Sequence, residues 1–488
     1  MIKFFKKSEP EKKLKKRSFV GARTTANNHF SVTNAKINSE LKQDFIALVL
    51  RSRSLAKNSE TVASFLNSIS RSVIGSGFIF HSTVLNEDGT ADKIASEQIE
   101  KNWKNFTESC KKYVSTCGGM TGAEFDRLVL WTLLIDGEVF IRKIQDSSSP
   151  FGVRFQLIDS LDVDYLYNIS SPDSKGNRVC MGIKVDSWGK PVSYFIRKNP
   201  SLDYYCQGER QEIPASEIIH IFRKNFVGQV RGYTPLAPVL LSLNALDSYK
   251  NAELNAALIN ACFMGFYEKN SSASSIYENY DDEITPAGEI ASSLESNSIK
   301  FCPDGYSIKQ LQNQHPNQNF GNFFKSTLKG ICGTLGLSYN KISSDYESTS
   351  YSSLRASAID NEECIKELQN FLISSWKDLQ FNEFLKYLLL TDLTNLPYSR
   401  IDKFSSHTFS GKSSAYIDPV KEMAAIQLRL QLGLSNPIEE ILNAGKQPED
   451  ILNGWEKWNK MLKDRNLQIS VNTNILSALD DKEIENEE

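Results

Sequence analysis

The stretch Gly228-Gln229-Val230-Arg231-Gly232-Tyr233-Thr234-Pro235-Leu236-Ala237-Pro238 decides how this chain is read. Glycine and proline at these intervals fix a sharp corner. The residues that follow, Leu240, Leu243, Leu246, Tyr249, Leu254, Leu258, Ile259 and Cys262, recur at helical spacing. Between Pro235 and Phe266 only Asp247, Lys250 and Glu253 carry charge. The pattern predicts a helix from Pro235 to Phe266 covered on most sides, by its own domain or by copies of itself. Upstream, Ile213-Pro214-Ala215-Ser216-Glu217-Ile218-Ile219-His220-Ile221-Phe222 reads as a strand leading into the corner.

A chain of 488 residues is long enough for roughly two to four domains. Its 56 basic and 59 acidic residues leave a net charge of −3. That balance argues against a protein that grips nucleic acid with its whole surface, though not against one that surrounds DNA without holding it. Lysines crowd the N-terminus (Lys3 to Lys16) and carboxylates the C-terminus (Asp480 to Glu488), and both read as solvated tails. The 8 cysteines include no Cys-x-x-Cys pair, so zinc sites and secreted disulfide frameworks are poor readings. A reducing, intracellular assembly environment is expected. No apolar run reaches the length of a signal peptide core or a transmembrane helix, so no membrane association is expected.

The periodicity predicts a predominantly helical α+β chain. Helical patterns run from Ser39 to Val73, Lys93 to Phe106, Thr121 to Ile135, Phe320 to Leu335 and Leu354 to Leu388, with short helices after Met423. Strands are expected at Phe78-Ile79-Phe80, Val139 to Ile144, Phe155 to Ile158, and in a hairpin from Gly182 to Tyr194.

Several stretches imitate enzyme motifs. Ser406-His407-Thr408-Phe409-Ser410-Gly411-Lys412-Ser413 has the end of a phosphate-binding loop but a serine where its first glycine belongs. That glycine lets backbone amides wrap the phosphates, so nucleotide binding is not expected. Gly75-x-Gly77 opens a strand rather than a helix and reads as a helix stop. His29, His81, His220, His315 and His407 are scattered, and the pairs Asp162/Asp164, Asp281/Asp282 and Glu362/Glu363 read as solvated faces. No catalytic, metal or cofactor residues are assigned. The polar run Ser343, Ser344, Asp345, Tyr346, Glu347, Ser348, Thr349, Ser350, Tyr351 through Ser353 has two readings. It is either an ordinary flexible loop or a loop that slides along DNA, where short hydroxyls make weak phosphate contacts and dense Lys/Arg would stick.

In order along the chain come Arg51-Ser52-Arg53-Ser54-Leu55, Val73-Ile74-Gly75-Ser76-Gly77, Trp131-x4-Asp136-Gly137-Glu138 and the hairpin phrase Gly182-Ile183-x-x-Asp186-x-x-Gly189-x-Pro191-x-x-Tyr194. They are followed by Gly228-Gln229-x-Arg231-Gly232, Tyr346-x4-Tyr351-Ser352-Ser353-Leu354-Arg355-Ala356-Ser357 and Ile417-Asp418-Pro419-x-Lys421-Glu422-x-Ala424-Ala425. This series, from about Asp44 to Trp458, resembles the lambda-type portal proteins of tailed bacteriophages. The serine-rich 270–298 segment departs from the family pattern.

The resemblance implies a homo-oligomeric ring, usually a dodecamer, at one vertex of the capsid and assembled in the host cytoplasm. It implies sequence-independent contact with double-stranded DNA during packaging and ejection. The partners implied are the terminase large subunit, head-completion or tail-connector proteins, and the major capsid and scaffold proteins. The implied layout is a basic arm (1–35), an α/β wing (36–234), a first stem helix (235–266), a clip (267–319) and a second stem helix (320–337). A tunnel loop (338–353), a returning wing helix (354–400), a helical crown (401–470) and an acidic tail (471–488) complete it. Gly228, Gln229, Arg231, Gly232 and Arg355 are its structural motif residues, and Ser343 to Tyr351 its DNA-facing loop. Two other classes were weighed: a DNA-acting packaging enzyme (terminase or nuclease), which would need the missing nucleotide loop or acidic cluster, and a membrane- or host-facing scaffold using the basic N-terminus.

Overall fold

A computed structural model describes residues 35–198, 208–262, 266–269, 306–309, 319–347, 349–412, 418–444, 446 and 448–465. The expected arm, most of the expected clip and the acidic tail lie outside these residues.

Two helices open the fold, α1 (Ile37–Asn58) and α2 (Glu60–Val73). The sequence pattern reads as one helix, but Ser59 between them is extended (φ −93°, ψ 121°) and buried, which turns the axis. Strand β1 (Ile79–Ser82) and helices α3 (Lys93–Glu108) and α4 (Gly122–Asp136) follow. Helix α4 begins with a capping box, Thr121 and Glu124 each satisfying the other's backbone amide. It ends at Gly137, left-handed at φ +89°.

Strands β2 (Glu138–Gln145) and β3 (Val153–Ile158) come next. A second, antiparallel sheet runs β4 (Arg178–Cys180), β5 (Ile183–Val185), β6 (Pro191–Arg197) and β7 (Arg210–Pro214) in sequence order. The expected hairpin is its centre: Asp186 Oδ1 accepts from the amides of Trp188 and Lys190, and Gly189 takes φ +83°. Strand β8 (Ile218–Phe222) returns to the first sheet and lies beside β2, giving the order β3-β2-β8.

Helix α5 (Leu240–Cys262) starts later and stops earlier than expected. A 3₁₀ turn at Ala237–Val239 occupies its start, and strand β9 (Phe266–Lys269) pairs with β10 (Tyr306–Lys309) after its end. Leu240, Leu243 and Leu246 are buried, whereas Leu241, Leu254 and Leu258 are 76%, 52% and 63% exposed. A single chain therefore covers one face of α5 only. Helix α6 (Phe320–Thr334) stops before Gly336, at φ +75°. A short α7 (Tyr339–Ser343) leads to α8 (Tyr351–Leu372), a π turn at Ile373–Lys377, and α9 (Asp378–Leu388).

The extra residue of that π turn aims Trp376 and Lys377 inward together. The Trp376 indole donates to Asp126 Oδ1 at 2.7 Å, and the Lys377 ammonium sits 3.0 Å from Oδ2 and 2.7 Å from Gln380 Oε1. Around them lie Phe80, Trp103, Phe106, Phe381, Phe384 and Phe409, packed ring on ring at the centre of the main core.

Helix α10 (Ile401–Phe404) and strand β11 (His407–Ser410) follow. Strand β11 pairs antiparallel with β1, and Phe404 and Phe409 are buried in the main core. The imitation phosphate loop is thus a sheet strand, and Gly411 packs against the Gln369 side chain. The remaining helices, α11 (Pro419–Gln431), α12 (Pro437–Asn443) and α13 (Pro448–Asp464), leave Leu428, Leu452, Trp455, Trp458 and Met461 exposed.

Lys377→Met strands the Asp126 carboxylate inside this core. Removing one partner of a buried pair costs about 3–5 kcal/mol, so urea unfolding should show a loss of that order. A loss below about 1 kcal/mol would mean that the Lys377–Asp126 pair does not hold this core together.

Candidate functional site

The corner before α5 is held by charge inside the protein. Arg231 is fully buried and its guanidinium reaches Glu138 Oε1 through Nε (2.8 Å) and Nη2 (2.5 Å). Its other hydrogens go to the carbonyls of Ser160 (2.6 Å), Met181 (3.1 Å) and Val163 (3.3 Å). The second Glu138 oxygen accepts from the Gly232 amide at 2.9 Å and lies 3.1 Å from His220 Nε2. Phe45 and Phe140 flank the guanidinium at 4.5 and 5.2 Å. A buried Arg is tolerable only when its donors are used in this way.

Two glycines make the contact possible. A Cβ on Gly137 would lie 1.9 Å from the Tyr233 carbonyl carbon, and one on Gly232 would lie 2.2 Å from the Gly137 oxygen. Backbone therefore rests on backbone where α4 ends and the corner begins. Gln229 shapes the loop in front: its Oε1 accepts from the amides of Asn225 (2.9 Å) and Phe226 (3.2 Å), and its Nε2 donates to the Arg231 carbonyl at 2.8 Å. Gly228 takes φ +78°, and its carbonyl accepts from Asn38 Nδ2 on α1 at 2.8 Å.

A second network abuts the first at Ser160. Arg53 is bidentate to Asp136 (2.8 and 2.5 Å) and also binds Asp159 (2.8 and 3.0 Å), while Ser160 Oγ donates to Asp136 at 2.9 Å. Burial raises the Asp136 pKa above the usual carboxylate value, against the pull of Arg53. Gly228, Gln229, Arg231 and Gly232 thus form one unit with Glu138, His220, Arg53 and Asp136. In the sequence the first four share one phrase, whereas the other four lie in phrases far from it or outside it. Arg355 stands apart, exposed on the first turn of α8.

The polar run is partly ordered. Ser343 closes α7, its hydroxyl donating to the Tyr339 carbonyl, and Ser344 turns left-handed at φ +56°. Asp345 is held by Lys325 of α6 at 2.6 Å and by the Tyr339 hydroxyl at 2.9 Å. Lys325 above all, then Tyr339, keeps the Asp345 carboxyl below its ordinary pKa of 3.8. Tyr346 and Glu347 are exposed, and the Thr349 hydroxyl donates to the Glu347 carbonyl. Ser350 caps α8 by accepting from the Ser353 amide, so Tyr351 is the first helical residue. Ser348 lies outside the described residues. Beneath the run, a groove of about 540 Å³ is lined by Lys325, Lys329, Tyr339, Thr349 and Ser353. Among the described residues no group of three His, Cys, Asp or Glu could hold a metal, and no helix is long and apolar enough to cross a membrane.

The buried corner carries a pH signature. Burial lowers the His220 pKa below the ordinary 6.5, although Glu138 pulls it upward. For Glu138, burial pushes the pKa up, but Arg231 and His220 outweigh it and hold it below 4.5. Both folded values lie below the unfolded ones, so both groups contribute stability that is present above the unfolded pKa and lost as pH falls. Stability to urea should hold from about pH 8 to about 6.5 and decline below that, with His220→Gln weakening the first part of the decline. A His220→Gln profile parallel to that of the original protein between pH 6.5 and 4.5 would contradict this assignment.

A family model described as phage portal protein, lambda family, matches residues 23–369. The "Probable portal protein" of Halomonas phage phiHAP-1 is 29% identical over 84% of this chain and 79% of its own. "Portal protein B" of Escherichia phage lambda is 23% identical over 73% of this chain and 72% of its own. Among solved structures, a chain from the neck of an empty GTA particle computed with C6 symmetry shares 12% identity at a TM-score of 0.46, over 83% of this chain and 94% of that one. Matched over most of its length, the chain belongs to the lambda family of phage portal proteins.

Proposed function

We propose that copies of this portal protein close into a ring, a dodecamer in its working form, around a channel for double-stranded DNA. In this reading α5 and α6 form the stem, β9 and β10 belong to the clip, and α11 to α13 form the crown. The polar run from Ser343 to Tyr351 faces the channel. The terminase motor and later a head-completion or tail-connector protein bind one end of the ring, and capsid and scaffold proteins surround it at the vertex, following assembly in the host cytoplasm. The protein supplies no catalytic step of its own.

The observation that carries the reading is the exposed apolar face of α5. Leu241, Leu254 and Leu258 stand in solvent on a helix whose root is fixed by the Arg231 corner. Such a face is covered by association, and copies of one chain meeting head to tail close into rings. The purified protein should form closed rings in negative-stain images without added nucleotide or Mg²⁺, and those rings should hydrolyse no ATP. A monomer at micromolar concentration would count against the reading.

For the loop, short hydroxyls favour weak, exchangeable phosphate contacts. Asp345 is neutralised by Lys325, which leaves Tyr346 and Glu347 as the exposed positions that need no rebuilding. Replacing Tyr346 and Glu347 with Lys should leave ring assembly intact and slow packaging, most at low salt, because each new cation attracts phosphate. Equal packaging rates at low salt would place this loop away from the DNA path.

A further inference from the structure

The loop in front of the corner presents an apolar tip on a rigid base. Val227 is 104% exposed and Phe226 52% exposed. The backbone around them is nonetheless fixed, by Gln229 inside the loop and by Asn38 from α1. Asn38 uses its whole side-chain amide there: Nδ2 donates to the Gly228 carbonyl at 2.8 Å and Oδ1 accepts from the Val230 amide at 3.0 Å. The Asn225 side-chain amide adds a bond to the Tyr233 hydroxyl at 3.1 Å. A tip held in this way does not fold back over its own apolar groups, and it needs little ordering when something covers it.

The Asn38 bonds also fix where the N-terminal segment meets the fold, because Asn38 is the second residue of α1. In the sequence before it, Phe30-Ser31-Val32-Thr33 alternates apolar and polar residues, an order that in extended backbone sets Phe30 and Val32 on one side. From Thr24 to Asn34 there is no Lys, Arg, Asp or Glu, whereas the stretch from Lys3 to Arg23 is strongly basic. Lys224 precedes the tip and Lys36 precedes Asn38, both exposed. Two cations repel the basic stretch and leave the uncharged one free to approach. The family match starts at residue 23, so it takes in the uncharged segment and leaves out residues 1–22.

Reach decides between this segment and a surface on another molecule. Val32 is six residues from Asn38 and Phe30 eight, which is at most about 20 and 27 Å of extended chain. A segment tethered at that length meets the tip at an effective concentration on the order of millimolar. A separate molecule must first give up its free translation and rotation. We infer that the Phe30–Val32 strip of the N-terminal segment packs on the Phe226–Val227 tip of its own chain. The corner loop is thereby the root from which the basic residues before Thr24 extend. The contact uses a single subunit, so it stands or falls independently of the ring.

The test reads the reactivity of a thiol at the tip of the full chain. Val227→Cys replaces a side chain that no described residue covers, so the fold should tolerate it. Peptide mass separates its maleimide labelling from that of the exposed Cys110 and Cys117. Labelling at position 227 should be slower by about tenfold or more than in the same protein carrying Phe30→Ser and Val32→Ser, the equivalent of 1.4 kcal/mol. Ser31→Asn with Thr33→Asn, on the other side of the strip, should leave the protection in place. Equal labelling with and without Phe30 and Val32 overturns the inference. Protection that survives their replacement and vanishes at high salt assigns the tip to an acidic segment. Protection that appears only at concentrations where rings form assigns it to a neighbouring subunit. Either result overturns the contact within one chain.

Discussion

The chain that follows β8 takes its direction from the Arg231–Glu138 ion pair. Glu138 is the first residue of β2, at the centre of the three-stranded sheet, and Arg231 lies on the corner that launches α5. Both are fully buried, so each would be prohibitively costly without the other. An apolar pair could hold the same volume but would not dictate an approach angle. The two guanidinium hydrogens on Glu138 Oε1, the Gly232 amide on Oε2 and the backbone contact between Gly137 and Gly232 fix that angle together. The direction of α5 is thus set by the sheet.

This explains how α5 can keep an unfinished surface. A lone helix with Leu241, Leu254 and Leu258 exposed would drift until it buried them. Anchored at its root, it holds them outward instead. Helix α6 packs beside it, with Tyr249 against Phe320 and Phe323 at 5.3 and 5.6 Å, so the two helices move as a pair. The Lys325–Asp345 bond then ties the polar run to the same pair. A displacement of α6 would carry that run with it, and this mechanical link runs through a half-exposed ion pair that salt weakens.

Local chemistry was readable in the sequence where it is written by local residues. The capping box at Thr121 and Glu124, the Asp186–Gly189 turn and the helix stop at Gly336 all follow from short-range rules. What the sequence hid is set by partners distant along the chain. Ser59 breaks a helical pattern because its extended backbone turns the α1–α2 axis, and the π turn at Ile373–Lys377 exists where Trp376 and Lys377 both reach Asp126, some 250 residues away. Strand β11 pairs with β1, from far back along the chain. In the corner, Gly228, Gln229, Arg231 and Gly232 stood out as a phrase, but nothing local revealed that Glu138 and His220 complete it. Arg355, read in the same breath, has no place in that unit.

The buried corner and the exposed tip are two sides of one loop. Gln229 uses its carbonyl oxygen to hold the amides of Asn225 and Phe226 and its nitrogen to hold the Arg231 carbonyl, so the charge network behind and the apolar tip in front share a single side chain. A loop with only the first role could be short. The excursion through Phe226, Val227 and Gly228 adds nothing to the burial of Arg231, and Gly228 must take a left-handed backbone to make it. Its rigidity is transmitted from the same sheet that aims α5. The tip and the root of α5 therefore leave the sheet in fixed mutual orientation.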